Sequence, residues 1–404
     1  MTLDIAWVRA QFPAFATPDL AGWGFFENAG GSYPCRQVVD RLHDIYTTHK
    51  VQPYAPYPAS ARLGDEMDAA RAGLAEMLGV ATDEVSFGPS TTQNTYVLAQ
   101  AVRGWLAPGD AIVVTNQDHE ANSGPWRRLA EAGIAVREWR IDPATGLLDP
   151  AALAPLLDGA KLLCFPHCSN VVGAINDVAA ITAQAHAAGA RVCVDGVSYA
   201  PHGFADVGAL GCDVYLFSAY KTYGPHQGIM VIRRDFGALL PNQGHHFNGD
   251  VLYKRFTPAG PDHAQVAACA GMVDYMNALA AHHGGGQGAA AARRAHDLMR
   301  AHEVALLGPL LDYVSGKNSL RLIGPADATV RAPTVAMALQ DDAEAVAARL
   351  ARHKIMAGGG DFYAQRPLAA MGVDLGRGVL RVSFTHYTDA AEVDRLIAAL
   401  DAEL

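Results

Sequence analysis

The run Phe217-Ser218-Ala219-Tyr220-Lys221-Thr222-Tyr223-Gly224-Pro225 sets a lysine among hydroxyl groups directly after an apolar segment. If that segment is a strand of an open α/β sheet, Lys221 stands at the carboxyl edge, where such sheets collect their ligands. A partly desolvated ammonium loses its proton easily and becomes a nucleophile towards an aldehyde, and the neighbouring hydroxyls suit a phosphate. The same pattern also fits a surface lysine following a strand. Asp195, 26 residues earlier at the end of Arg191 to Asp195, shifts the balance. One strand-helix-strand unit separates the two, so the carboxylate is placed to pair with a protonated ring nitrogen and keep that ring electron-poor. Standing alone, it reads equally well as a helix N-cap.

Two further groups point to the same edge. Gly88-Pro89-Ser90-Thr91-Thr92 lies between Val85 to Phe87 and the helical run Tyr96 to Trp105. Such a turn offers backbone N–H groups and hydroxyls at a helix start, where the dipole suits a phosphate dianion. Its glycines do not follow a Walker loop, and Ser/Thr clusters also cap helices that bind nothing. His119, in Asp118-His119-Glu120-Ala121-Asn122, follows the strand-like Ala111 to Thr115; an imidazole there can stack on a flat ring and shuttle protons. It is one of 16 histidines, so its place rests on the constellation. Cys164 and Cys168 read as small core residues on one strand face, and the pairs His245-His246 and His282-His283 lack partners at zinc spacing. No catalytic metal is expected.

The elements that must position these groups are legible from residue 80 to 235. Val85 to Phe87, Ala111 to Thr115, Ile134 to Trp139, Lys161 to Pro166, Arg191 to Asp195, Asp213 to Ser218 and Gly228 to Ile232 alternate with helical stretches such as Ala179 to Ala188. Most are too apolar for a wet face, which predicts a mainly parallel, doubly wound sheet. Upstream, Leu63, Met67, Ala70, Leu74 and Leu78 recur at helical spacing before Gly79. A Gly-rich stretch, His282 to Gly288, precedes a long Ala/Arg helical segment. Beyond it, strand-like Thr334 to Leu339 and Val379 to Phe384 alternate with helical Ala343 to His353 and Ala390 to Leu404, an α+β layer. The expected organisation is an N-terminal segment over 1–20 packing with the small domain, a large domain over 21–281 and a small domain over 289–404.

Composition narrows the class. The 404 residues are half hydrophobic and 18% charged, with 40 Gly and 22 Pro, as in a turn-rich globular enzyme. A net charge of −10 and the absence of any Lys/Arg-rich run speak against nucleic acid as a partner. No secretory signal and no 18-residue apolar window appear, so neither export nor a membrane partner is expected. Six scattered cysteines suit a reducing cytoplasm.

Together these elements resemble the class V aminotransferase superfamily, the fold-type I pyridoxal-5′-phosphate enzymes that include cysteine desulfurases and selenocysteine lyases. The resemblance runs from Phe26-Glu27-Asn28-Ala29-Gly30-Gly31 through the His119 segment, Ser169-Asn170-Val171-Val172-Gly173, Val194-Asp195-Gly196 and Ser218-Ala219-Tyr220-Lys221 to Leu380-Arg381-Val382-Ser383. It implies that Lys221 carries the cofactor as a Schiff base, Asp195 pairs with the pyridine nitrogen, His119 stacks on the ring and Asn170 lies near the ring hydroxyl. Thr91, Thr92, Ser218 and Tyr220 are implied for the phosphate, Tyr220 replacing a histidine usual in desulfurases. Arg381 matches the arginine that receives a substrate carboxylate, with Asn28 and Gly30 lining the substrate side. The resemblance further implies a small amino-acid substrate and a homodimer.

The departures bear on the reaction. Desulfurases use a cysteine on a mobile loop ahead of the carboxylate-binding arginine, yet Lys354 to Leu380 contains none; the loop reads Gly358-Gly359-Gly360-Asp361-Phe362-Tyr363-Ala364-Gln365. Ser198 replaces a glutamine that bonds the ring oxygen, and Gly260-Pro261 a Gly-Thr that reaches the neighbouring subunit. The reading is a β-eliminating C–S or C–Se lyase without a persulfide cysteine, favouring good leaving groups such as a sulfinate, selenol or stabilised thiol. Aminotransfer or epimerisation is the alternative, and a non-catalytic PLP-binding or interaction protein a second.

Overall fold

The computed structural model describes residues 2–404. Seven strands form one sheet: β1 (Val85–Gly88), β2 (Ala111–Thr115), β3 (Ala135–Trp139), β4 (Ala160–Pro166), β5 (Arg191–Asp195), β6 (Val214–Ser218) and β7 (Gly228–Ile232). Their spatial order is β1-β7-β6-β5-β4-β2-β3. Strands β2 to β6 pair in parallel, whereas β7 runs antiparallel to both β6 and β1. The sheet is thus mainly parallel, as expected, with β7 the one reversed strand. Only nine residues separate Ser218 from Gly228, fewer than the dozen or so that a parallel crossover needs. Because β7 reverses twice over, β1 points the same way as β6, and the Ser/Thr turn after β1 reaches the common carboxyl edge.

Alternate residues of each strand enter two cores, since the side-chain period is two. Val113, Leu163, Val192, Val194 and Phe217 face α1 (Pro58–Leu78) and α4 (Val178–Ala187). Ile112, Val114, Leu162, Leu216 and Met230 face α2 (Thr91–Trp105) and α3 (Glu120–Arg127). The expected stripe of α1, Leu63 to Leu78, is buried, and Gly79 closes the helix at φ 67°. Cys164 packs on the α2/α3 side, but Cys168 lies past the end of β4, so the two do not share a strand face.

The second layer is built from α5 (Gly288–Gly316), β8 (Arg321–Ile323), β9 (Thr334–Ala338), α6 (Ala343–Ala351), β10 (Gly358–Gly360), β11 (Val379–Ser383) and α7 (Ala390–Glu403). Its antiparallel strands run β10-β11-β9-β8. α5 joins the layers: Ala291, Ala295 and Met299 pack in the large core, Leu307, Leu310 and Val314 in the small one. The chain start also belongs to both. Val8 and Phe12 sit in the large core, Arg9 bonds Glu392 of α7 at 2.7 Å, and Gly24–Phe25 pairs in parallel with Ile355–Met356. Among the described residues no helix is long and apolar enough to cross a membrane.

Candidate active site

A cavity of about 550 Å³ opens where the carboxyl edge of the sheet meets the small layer. Gly30, Thr91, Thr92, His119, Asn170, Asp195, Ser198, Ser218, Tyr220, Lys221 and Arg381 all line it. Asn28 does not. Its Oδ1 accepts from the Tyr387 hydroxyl at 2.6 Å, and it lines a small adjoining void behind Lys221. Its expected place on the substrate side is corrected to a support behind it.

The turn after β1 is seated on β7. A Cβ at Gly228 would lie 2.4 to 2.6 Å from the backbone of Ser90 and Thr91, so glycine is what allows their approach. Ser90 caps α2 by accepting from Gln93 N, which leaves the N–H groups of Thr91 and Thr92 in the first turn, where no intrahelical carbonyl is available. Thr91 Oγ1 and Ser218 Oγ meet at 2.7 Å, and Tyr220 lines the cavity with them. His226, not singled out in the sequence, stacks on Tyr220 with ring centroids 4.8 Å apart.

Lys221 follows β6 on a single helical turn. Enclosure lowers its pKa to about 8, helped by the Arg381 charge and opposed by Asp195 and Glu27. Asp195 ends β5, buried; desolvation raises its carboxyl to about 6 against the pull of Val197 N, which donates to it at 2.8 Å, and of Lys221. That bond is the cap geometry considered from sequence, and it uses one oxygen only. His119 caps α3, accepting from Ala121 N at Nδ1. Burial, then Lys221 and Arg381, depress its pKa to about 4, so at neutral pH the ring is uncharged and its proton sits on Nε2.

Arg381 rises from β11, 3% exposed. It donates to Glu27 Oε1 and, at 3.3 Å, to the Asn170 carbonyl, while the Phe362 ring covers it at 3.7 Å. Asn170 Nδ2 donates to the Phe362 carbonyl at 3.0 Å, tying the loop after β10 to the sheet edge. Burial lowers the Arg381 pKa, and Glu27 opposes the shift.

Several lining residues escaped sequence reasoning: Glu27, Tyr96, Asp118, Glu120, Cys168, Phe362 and Tyr363. Asp118 adjoins His119 in the quoted motif, and its buried carboxyl is pushed well up by desolvation and by Asp195. Phe362 and Tyr363 hold positive φ, 52° and 56°, which no sequence pattern announces for aromatic residues. The second of the two histidine pairs does structural work: His282 bonds Asp4, and His283 takes the Asp4 N–H while bonding the Leu279 carbonyl.

Comparison with known proteins decides the lineage. Residues 24–396 match the family profile of aminotransferase class V. The chain belongs to the class-V aminotransferase family. Among class-V relatives, an aminotransferase-like protein of Gibberella zeae is 33% identical over 98% of both chains. A cysteine desulfurase of Serratia proteamaculans is 31% identical over 99% of this chain and 98% of that one. In three dimensions the chain superposes on a cysteine desulfurase of Thermococcus onnurineus with TM-score 0.87 at 22% identity, covering 100% and 98% of the two chains. A cysteine desulfurase of Escherichia coli gives 0.83 at 26%, covering 100% and 99%. The architecture is thus fold-type I, and this class-V member is a pyridoxal-phosphate-dependent enzyme.

The cavity fits that cofactor. The free N–H groups of α2 and the hydroxyls beside them suit a phosphate dianion. Asp195 offers a carboxylate to a ring nitrogen, and Asn170 Oδ1, buried with no hydrogen-bond partner, is an acceptor that a ring hydroxyl can satisfy.

Proposed function

We propose that the enzyme is a β-eliminating C–S or C–Se lyase acting on a small amino acid without an enzyme persulfide. The observation that carries this reading is the loop after β10, which turns Phe362 and Tyr363 into the cavity, with no cysteine between Lys354 and Leu380. All six thiols are buried. Cys168 alone among them lines the cavity, and there its thiol donates to the Gly173 carbonyl at 3.3 Å while burial pushes its pKa up to about 12. Such a thiol is a poor nucleophile.

Pyridoxal phosphate supplies the electron sink that makes an α-proton of the bound amino acid acidic. Lys221 would hold the cofactor and take the α-proton at Nζ, and the enclosure that lowers its pKa to about 8 favours the neutral amine this needs. Asp195 would keep a proton on the ring nitrogen. His119, uncharged, would stack on a bound ring, and Ser198, which lines the same cavity, would offer its hydroxyl to the ring oxygen. Thr91, Thr92, Ser218 and Tyr220 hold the phosphate, and Arg381 receives the substrate carboxylate at the Gly30 side of the cavity. The same proton removal serves aminotransfer, the second reading, which the aminotransferase-like relative favours.

The assembly we propose is a homodimer, supported by the exposed Phe247 of the loop 247–261 and the exposed Tyr54 that shares a groove with it; light scattering should give twice the chain mass. The functional test is a screen of cysteine, selenocysteine and other amino acids for pyruvate, sulfide or selenide, and keto acids. Elimination should persist in a folded, cofactor-loaded variant with all six cysteines replaced by Ala or Ser. Loss of turnover there would make a buried thiol catalytic, and keto acid without elimination would favour aminotransfer.

A further inference from the structure

Arg381, the proposed carboxylate receptor, is already engaged by a carboxylate of this chain. Glu27 binds it through Oε1 alone, leaving two buried atoms without partners: Glu27 Oε2 and Arg381 Nε. A guanidinium pairs best with a carboxylate through two parallel N–H donors, so this one-point contact is poorer than what an incoming carboxylate can make. The local sequence accommodates it. Gly358 lies across from Arg381 in the β10-β11 register, and a Cβ there would come within 2.2 Å of Glu27 Oε2. Glu27 also has somewhere to go, because its side chain is 28% exposed and lines the cavity. Arg381 does not: it is buried, under Phe362 and against the Asn170 carbonyl.

We infer that Glu27 is a gate on Arg381, occupying the guanidinium until a substrate carboxylate displaces it, and that the displaced Glu27 then sets the substrate class. This rests on the reading of Arg381 as the carboxylate receptor. A neutral or cationic ligand has no group to exchange for Glu27. After the exchange Glu27 stays beside the substrate, in a cavity that Glu120 also lines. A second negative charge on the substrate meets that acidic wall and is disfavoured. The class is therefore an amino acid with one carboxylate and an uncharged side chain, which narrows the leaving group to a thiol or selenol and disfavours a sulfinate.

Calorimetric titration of the holoenzyme with propionate and with succinate tests this. Glu27→Gln should tighten propionate about tenfold, the worth of roughly one charge-assisted hydrogen bond, and reduce the preference for propionate over succinate. Glu27→Ala, which removes the acceptor, should move both in the same direction. Arg381→Gln should abolish propionate binding. If Arg381→Gln abolishes binding but neither Glu27 variant tightens it, the gate is overturned while Arg381 keeps its place. If Arg381→Gln leaves propionate affinity unchanged, Arg381 is not the receptor and both ideas fall.

Discussion

The hydroxyls of Thr91 and Ser218 meet at 2.7 Å although they stand 127 positions apart in the chain. The contact fastens the turn after β1 to the end of β6, across the one antiparallel strand between them. Its two hydroxyls are the fixed floor of the proposed phosphate cup.

Thr91→Val keeps the shape of the side chain and removes the hydroxyl. A hydrogen bond to a charged group contributes about 1.5–3 kcal/mol, so the variant should release cofactor with a dissociation constant roughly 10- to 100-fold higher. Absorbance of the bound cofactor after dialysis measures this, and retention equal to wild type would remove Thr91 from the cup.

Asp195 gives a pH dependence in the cofactor-free protein. Its folded pKa, about 6, exceeds the ordinary 3.8, so the folded state binds more protons between those values and stability falls as pH rises through that window. Above pH 6 the full destabilisation, on the order of 3 kcal/mol from a two-unit shift, remains. Asp195→Asn should therefore be the more stable apoprotein at pH 7.5 by up to about that amount, and should match wild type below pH 4. Urea denaturation at the two pH values checks both limbs. In the holoenzyme the same variant should slow α-proton exchange by orders of magnitude while keeping the cofactor attached.

Much of this site was legible because its residues stand at strand ends. Arg191 to Asp195 and Gly228 to Ile232 could be bounded from their apolar runs, and the strand end then fixed where Asp195 had to be. What escaped depends on tertiary approach. Glu27 reaches Arg381 across 354 residues, and β10 is three glycines, whose pairing comes from the neighbouring strand and not from any β-propensity of their own. Cys168 was misplaced because β4 ends at Pro166, so the two-residue period stops before it.

Lys221 makes its own pH prediction. Only the neutral amine attacks an aldehyde, so the rate at which apoprotein captures pyridoxal phosphate should rise with pH through a midpoint near 8. The Arg381 charge helps hold that value down, so Arg381→Gln should move the midpoint upward. Stopped-flow absorbance across pH 6 to 10 reads both. A midpoint that stays in place in the variant would show that Arg381 does not act on this amine.

The central claim is that Lys221 carries the cofactor, and borohydride reduction of the holoenzyme followed by proteolysis and mass mapping tests it most directly. The account predicts a pyridoxyl group on Lys221 and none in Lys221→Ala treated alike. A pyridoxyl group on any other lysine of the wild-type chain, or undiminished labelling in Lys221→Ala, would contradict it.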